Sequence, residues 1–203
     1  MRPILRPNYT GPVVSDYKSY LDPLIQAYGG YCSYCERADK LDVEHVAPAS
    51  KNPLLTLSWT NLVLGCPRCN RDFKRSNNQD RSGHVWPDVH NTFTLLHYLP
   101  DGRVQPAAGL PPALQAAAQA TIDLVCLDDA RQPQKPLNLG RKRQHRIALK
   151  AKNDFLAGNA SVDEIMDQAE VGFWSIWYLV FQQIPAVATA LETLLPNTDI
   201  HRP

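Results

Sequence analysis

Two cysteine pairs, Cys32-Ser33-Tyr34-Cys35 and Cys66-Pro67-Arg68-Cys69, bracket an acid–imidazole pair, Glu44-His45, and Asn70 directly follows the last cysteine. Two CxxC knuckles supply four thiolates, the ligand set of a tetrahedral zinc site that is closed to substrate and therefore structural. The segment they clip together carries a carboxylate, an imidazole and the side-chain amides of Asn61 and Asn70. Those groups are the equipment for hydrolysing a phosphodiester on a second, harder metal ion. A plain zinc ribbon would explain the cysteines and leave Glu44-His45 and Asn70 without a use.

The 203-residue chain is long enough for one domain with a substantial extension. Its 44% hydrophobic and 20% charged content is that of an ordinary globular protein. No stretch is long and apolar enough to cross a bilayer. The opening MRPILRPNYTGP has no apolar h-region, so no secretory signal is expected. Four of five cysteines in tight pairs fit metal binding in a reducing cytoplasm rather than disulfides, with Cys126 read as a small buried hydrophobe. Net charge of +1 gives the whole molecule little pull on a polyanion, so affinity for nucleic acid must come from a local patch or a partner. Such a patch lies between Cys66 and Arg81, where Arg68, Arg71, Lys74, Arg75 and Arg81 face only Asp72 and Asp80.

The elements that must position these groups follow from pattern. Residues 15–28 read as a helix, with Ser15 as N-cap, Gly29-Gly30 as the stop and Pro23 as a kink or second start. A short strand around Leu41–Glu44 ends at His45, and residues 46–58 form a loop. Asn61–Leu64 is a second strand, and the second knuckle opens a helix over Asn70–Arg75. Phe93–Leu99 and Val104–Pro106 read as a hairpin around Pro100-Asp101-Gly102. A helix starts at Pro111-Pro112, residues 128–140 are a proline-rich connector, and Arg141–Phe155 is a basic helix. The last element expected is one long helix over about Asp163–Gln183, with Phe173, Trp177 and Phe181 on one stripe and Trp174 and Tyr178 on another. It reads either as core or, through Trp174 and Tyr178, as a partner-docking face. The fold class expected is α+β, mainly helical, with residues 1–80 holding an N-terminal helix and the zinc-bound core. Residues 81–203 are expected to form a hairpin and helical extension that packs on the core, with docking of a partner as the open option.

Cys-x-Tyr-Cys-Glu, then Val-Glu-His-x-x-Pro, then Trp-x-Asn-Leu-x-Leu-x-Cys-x-x-Cys-Asn-x-x-x-Lys, over Cys32–Lys74, resembles the HNH endonuclease family. The Glu-His form with Trp59-Thr60-Asn61-Leu62 is most similar to the PtuB-type branch, nuclease subunits of bacterial anti-phage systems. The resemblance implies a ββα-metal core, a structural zinc on Cys32, Cys35, Cys66 and Cys69, and a catalytic magnesium or manganese ion. It makes His45 the general base, names Glu44, His45 and Asn70 as the site of the divalent ion, and has Asn61 orient the loop that carries the base. Glu44 and Asn70 stand where many members have aspartate and histidine. Asn61 also reads as an ordinary Asx-turn residue.

Arg71 and Lys74, one helical turn apart, read either as phosphate contacts or as a solvated helix face. Lys142, Arg146 and Lys150 read as solvent-exposed. The resemblance implies an endonuclease acting on nucleic acid, DNA more than RNA, beside an ABC- or SMC-type ATPase subunit in the cytoplasm, with no membrane involved. Two alternatives stand beside it: a nuclease of structured RNA, and a non-catalytic zinc module that binds nucleic acid or protein.

Overall fold

Backbone pairing around the acid–imidazole pair sets the centre of the molecule. In the computed structural model, which describes residues 1–130 and 137–203, β1 (Asp42–His45) runs antiparallel to β2 (Leu62–Gly65), with Glu44 opposite Val63 and His45 opposite Leu62. All of β2 is buried, so its apolar run sits inside the core rather than alternating between core and solvent. The first knuckle docks on this ribbon through Ser33 N–H donating to the Leu64 carbonyl (2.9 Å). The second knuckle runs straight off β2 into a π-helical turn, Arg68–Lys74. The Arg75 N–H reaches back five residues to the Asn70 carbonyl (2.8 Å), the wider winding that often marks functional positions. Strand, loop, strand and helical turn are therefore in the expected order, and the ribbon is one residue later at each end than sequence pattern suggests.

The segment before the first knuckle is split. Asp16, not Ser15, caps a 3-10 turn (Tyr17–Tyr20) by accepting the Lys18 N–H (3.0 Å), and α1 follows at Leu21–Tyr28. Pro23 falls in the first turn of α1, where a missing N–H costs nothing, and Gly29 stops the helix at φ +85°. Downstream, Thr92–Leu95 forms a helical turn (α2) before the short hairpin of β3 (Leu96–Tyr98) and β4 (Val104–Pro106), which leaves the strand expected from Phe93 only three residues long. Next comes α3 (Pro112–Leu124), and Cys126 after it is only half-buried, in a left-handed turn at φ +48°. The connector expected over 128–140 lies partly outside the described residues, and helix has already begun at its end, with α4 spanning Leu137–Leu156.

The expected long C-terminal helix is two helices, α5 (Val162–Ala169) and α6 (Trp174–Phe181). The break lies at Gly172 and Phe173, whose φ values are +122° and +58°. Gly172 bridges to Arg37 and lies so close that a Cβ there would meet the Glu36 carbonyl at 2.6 Å. The first knuckle thus interrupts the helix, which periodicity alone does not reveal. A further helix, α7 (Pro185–Leu194), packs on α6. It covers the face expected to dock a partner: Trp174 and Trp177 are both almost fully buried, Tyr178 is buried, and the Trp174 indole donates to the Leu191 carbonyl (2.7 Å). Trp174 stacks on Tyr178 at 4.8 Å, with Phe93 edge-on to both. Both aromatic stripes are core, because α4, α7 and Phe93 surround α6 on more sides than a single amphipathic face would need.

Candidate active site

The four cysteines converge as their spacing requires. Cys32, Cys35, Cys66 and Cys69 are buried, and their sulfurs all lie within 4.8 Å of one another, with Cys35 and Cys66 at 3.7 Å. A zinc ion about 2.3 Å from each of four thiolates implies sulfur–sulfur edges of about 3.8 Å, so the cage fits the ion. Burial pushes the Cys32 thiol up. Arg68 reaches the Cys69 sulfur (3.8 Å) and also donates to the carbonyls of Val125 (3.1 Å) and Cys126 (2.7 Å), tying the segment after α3 to the cage. Glu36, next to the first knuckle, is buried and accepts from the Ser175 N–H (3.1 Å) and hydroxyl (2.6 Å), which fastens α6 to the same corner.

The ribbon between the knuckles presents the reactive groups. His45, at the end of β1, is half-buried, and its Nε2 lies 3.0 Å from the Thr56 carbonyl. A carbonyl only accepts, so this bond places the proton on Nε2 and leaves Nδ1 with a free lone pair. Burial lowers the imidazole pKa below its ordinary value, which keeps it neutral near pH 7. Tyr17 packs edge-on against the ring at 4.7 Å between centroids and fixes its other side.

Leu55, the residue before Thr56, is held in turn by Asn61. The Asn61 side chain accepts the Ala47 N–H (2.8 Å) and donates to the carbonyls of Ala47 (2.9 Å) and Leu55 (3.3 Å). One buried amide therefore staples the start of the 46–58 loop to the stretch just before Thr56. The two bonds to Ala47 reach across 14 residues and the one to Leu55 across six, rather than along a local Asx turn.

Glu44 and Asn70 flank Gly65. A Cβ at Gly65 would lie 2.9 Å from the Glu44 Cβ and 3.2 Å from the Asn70 Cβ, so only glycine lets the strand and the helical turn approach this closely. Glu44 is buried, and burial lifts its carboxyl to about 7 against the opposing pull of Lys74. The Lys74 Nζ sits 2.6 Å from Glu44 Oε1 but off the line of a directed hydrogen bond, its aligned bond going to the His45 carbonyl at 2.7 Å. Among the described residues the Asn70 side-chain amide makes no hydrogen bond, and Glu44 is engaged by Lys74 and by the His45 backbone N–H; the two side chains leave the backbone on either side of Gly65. Two hard oxygens of this kind fit magnesium or manganese. His45 was also expected at that ion, but its single free nitrogen serves either as base or as ligand, not both at once.

The basic residues separate. Arg71 is exposed and pairs with Asp42 through Nε (3.1 Å) and Nη2 (2.8 Å). Lys74 is fully buried, which corrects both sequence readings of it: it meets neither phosphate nor solvent, and instead bolts β1 to the helical turn. Its spacing of four from Asn70 was the available signal, since it puts the two side chains on one side of a helix. Gly65 was a second signal, as glycine inside an apolar strand marks a close backbone approach. The Thr56 carbonyl has no side-chain signature to be found by.

Residues 32–75 match the family model described as HNH endonuclease. The match covers the zinc knuckles, the ribbon and the helical turn, and supports a nuclease. No curated protein matches the chain.

Proposed function

We propose that the protein is a metal-dependent endonuclease that hydrolyses phosphodiester bonds in nucleic acid, DNA before RNA. The observation that carries this reading is that the matched residues hold an imidazole with a free Nδ1 next in sequence to Glu44, while the Glu44 and Asn70 side chains flank Gly65. In this reading His45 Nδ1 takes the proton from the attacking water, and the Thr56 carbonyl stabilises the imidazolium that results through the Nε2–H bond. Glu44 and Asn70 hold a magnesium or manganese ion, which when bound supplies positive charge at the scissile phosphate and the leaving oxygen. Lys74 holds Glu44 in place, and Asn61 holds the loop that presents Thr56. Zinc on the four cysteines fixes the two ends of the ribbon and takes no part in the chemistry.

The likeness of Trp59-Thr60-Asn61-Leu62 to the PtuB-type branch extends the proposal to an anti-phage effector acting beside an ABC- or SMC-type ATPase in the cytoplasm. A net charge of +1 fits such an arrangement, because a partner that recruits the nucleic acid relieves the nuclease of doing so. The test is cleavage of duplex DNA, single-stranded DNA and RNA with magnesium or manganese, with and without a co-expressed ATPase encoded nearby. Metal-dependent cutting of duplex DNA supports the reading. Cutting of structured RNA alone moves it to the RNA alternative, and no cutting of any substrate under any of these conditions leaves a zinc binding module.

A further inference from the structure

Asn70 and Arg71 do not open onto bare solvent. They line a groove of about 540 Å³ whose facing wall is built by Tyr17 and Lys18, with Lys40 and Asp42 at its side. Tyr17 and Lys18 lie outside the residues that match the family model. The groove lies beside the imidazole, since the Tyr17 ring that walls it also packs on His45, 4.7 Å between ring centroids. This wall is held firmly: Asp16 caps the 3-10 turn, and the buried Tyr20 donates from its hydroxyl to the Leu57 carbonyl (3.1 Å), in the loop that carries Thr56.

The groove is cationic. Its one carboxylate, Asp42, is already engaged by Arg71. Lys18 and Lys40 are exposed, and neither ammonium has an ion pair among the described residues. Asp39, the acid beside Lys40, is taken by Arg37. Free ammonium groups beside a proton acceptor and two hard oxygens are what a phosphodiester strand requires, because phosphate contacts fix register while the reacting groups act at one bond.

Building on the nuclease reading above, we propose that this groove seats the backbone of the nucleic acid to be cut, with Lys18 and Lys40 contacting phosphates on the strand that Tyr17 guides past His45.

The probes are a fluorescently labelled duplex DNA and a labelled single-stranded RNA of the same sequence, titrated by anisotropy into the His45→Ala protein over a series of salt concentrations. Adding Lys18→Ala and Lys40→Ala should weaken binding and reduce the salt slope by about 0.9 per lost contact on duplex and about 0.7 on single strand. Loss on one probe only identifies that probe's class as the groove's ligand. Lys142→Ala with Arg146→Ala, which removes equal charge from α4, should leave affinity and slope unchanged; a matching loss there would reduce the effect to net charge and overturn the groove. Circular dichroism and zinc content should be the same in every variant, since all four side chains are exposed. Binding of the Lys18/Lys40 variant with the parent's affinity and slope, while the His45-intact protein cleaves, would overturn the groove and leave the nuclease standing. Failure of the intact protein both to bind and to cleave either probe would overturn the two together.

Discussion

The zinc-clipped ribbon and the C-terminal helices are held by different physics. Between Cys32 and Lys74 the structure depends on named polar contacts: four thiols, the Asn61 staple, and a lysine buried between a carboxylate and a carbonyl. From α4 to α7 it depends on apolar area, with Trp174, Trp177, Phe181 and Leu191 packed among small residues such as Ala148, Ala151 and Ala188. The first kind of region fails all at once when one ligand goes, because the four thiolates hold one shared ion and its two knuckles are tied together through it, even though β2 itself lies in the apolar core. The second fails by increments, each set by the volume removed. The groups proposed to be catalytic sit in the first kind, where geometry is fixed by direction-dependent bonds, and the second is fastened to it through Glu36 and Ser175.

The largest effect expected is at the cage. Structural zinc contributes about 10–16 kcal/mol of binding energy to folding, as much as the whole stability of a typical domain, about 5–15 kcal/mol. Cys69→Ser should therefore give insoluble or unfolded protein, whereas the parent should contain one zinc per chain by metal analysis. Protein that is free of zinc and melts at the parent's temperature would contradict the structural role.

Next in size is the aromatic core. Trp174→Ala should cost about 3–5 kcal/mol, the usual range for emptying a buried aromatic site, measured by urea unfolding with zinc content unchanged. Full stability together with loss of ATPase pull-down would instead restore the docking role that the burial of Trp174 and Tyr178 argues against.

The same contrast governs what the sequence makes legible. Thiolate chemistry dictates residue type and spacing, so the cage, the ribbon and the turn that follows can be placed from Cys32, Glu44, His45 and Asn70 alone. The C-terminal region offers only periodicity, which continues smoothly through Gly172 and Phe173 although the chain breaks there against Arg37. An amphipathic count also cannot show that α7 covers Trp174, because what covers a face is a long-range contact. Within the site, Lys74 misleads for a related reason: a lysine on a short helix resembles a surface charge until its buried partners, Glu44 and the His45 carbonyl, are in place.

A smaller effect is expected at Asn61. Asn61→Ala leaves the Ala47 N–H and carbonyl without partners, which should cost about 1–3 kcal/mol. Because the loop that presents Thr56 loses its tie at the Leu55 carbonyl, cleavage should fall by more than stability does, read as a lower kcat at a temperature where the variant is fully folded. An equal loss of folded fraction and of activity would make Asn61 merely structural.

The smallest effect is a pH dependence at Glu44, whose carboxyl is raised to about 7 by burial. A folded pKa above the unfolded value stabilises the metal-free protein at low pH, and that contribution is lost as pH rises through about 7. The thermal shift produced by added magnesium or manganese should run the other way, growing as Glu44 ionises through the same range. A shift independent of pH would remove Glu44 from the ion's ligands.

The most direct test of the central claim is the cleavage rate of His45→Ala with magnesium or manganese present. The half-buried imidazole touches Thr56 and Tyr17 but carries no zinc, so the variant should keep its zinc and its fold. Loss of a general base lowers a rate by roughly a hundredfold to ten-thousandfold, and cleavage by folded, zinc-loaded His45→Ala should fall by at least the lower of these. Cleavage at the parent's rate would show that Nδ1 of His45 takes no proton in the reaction.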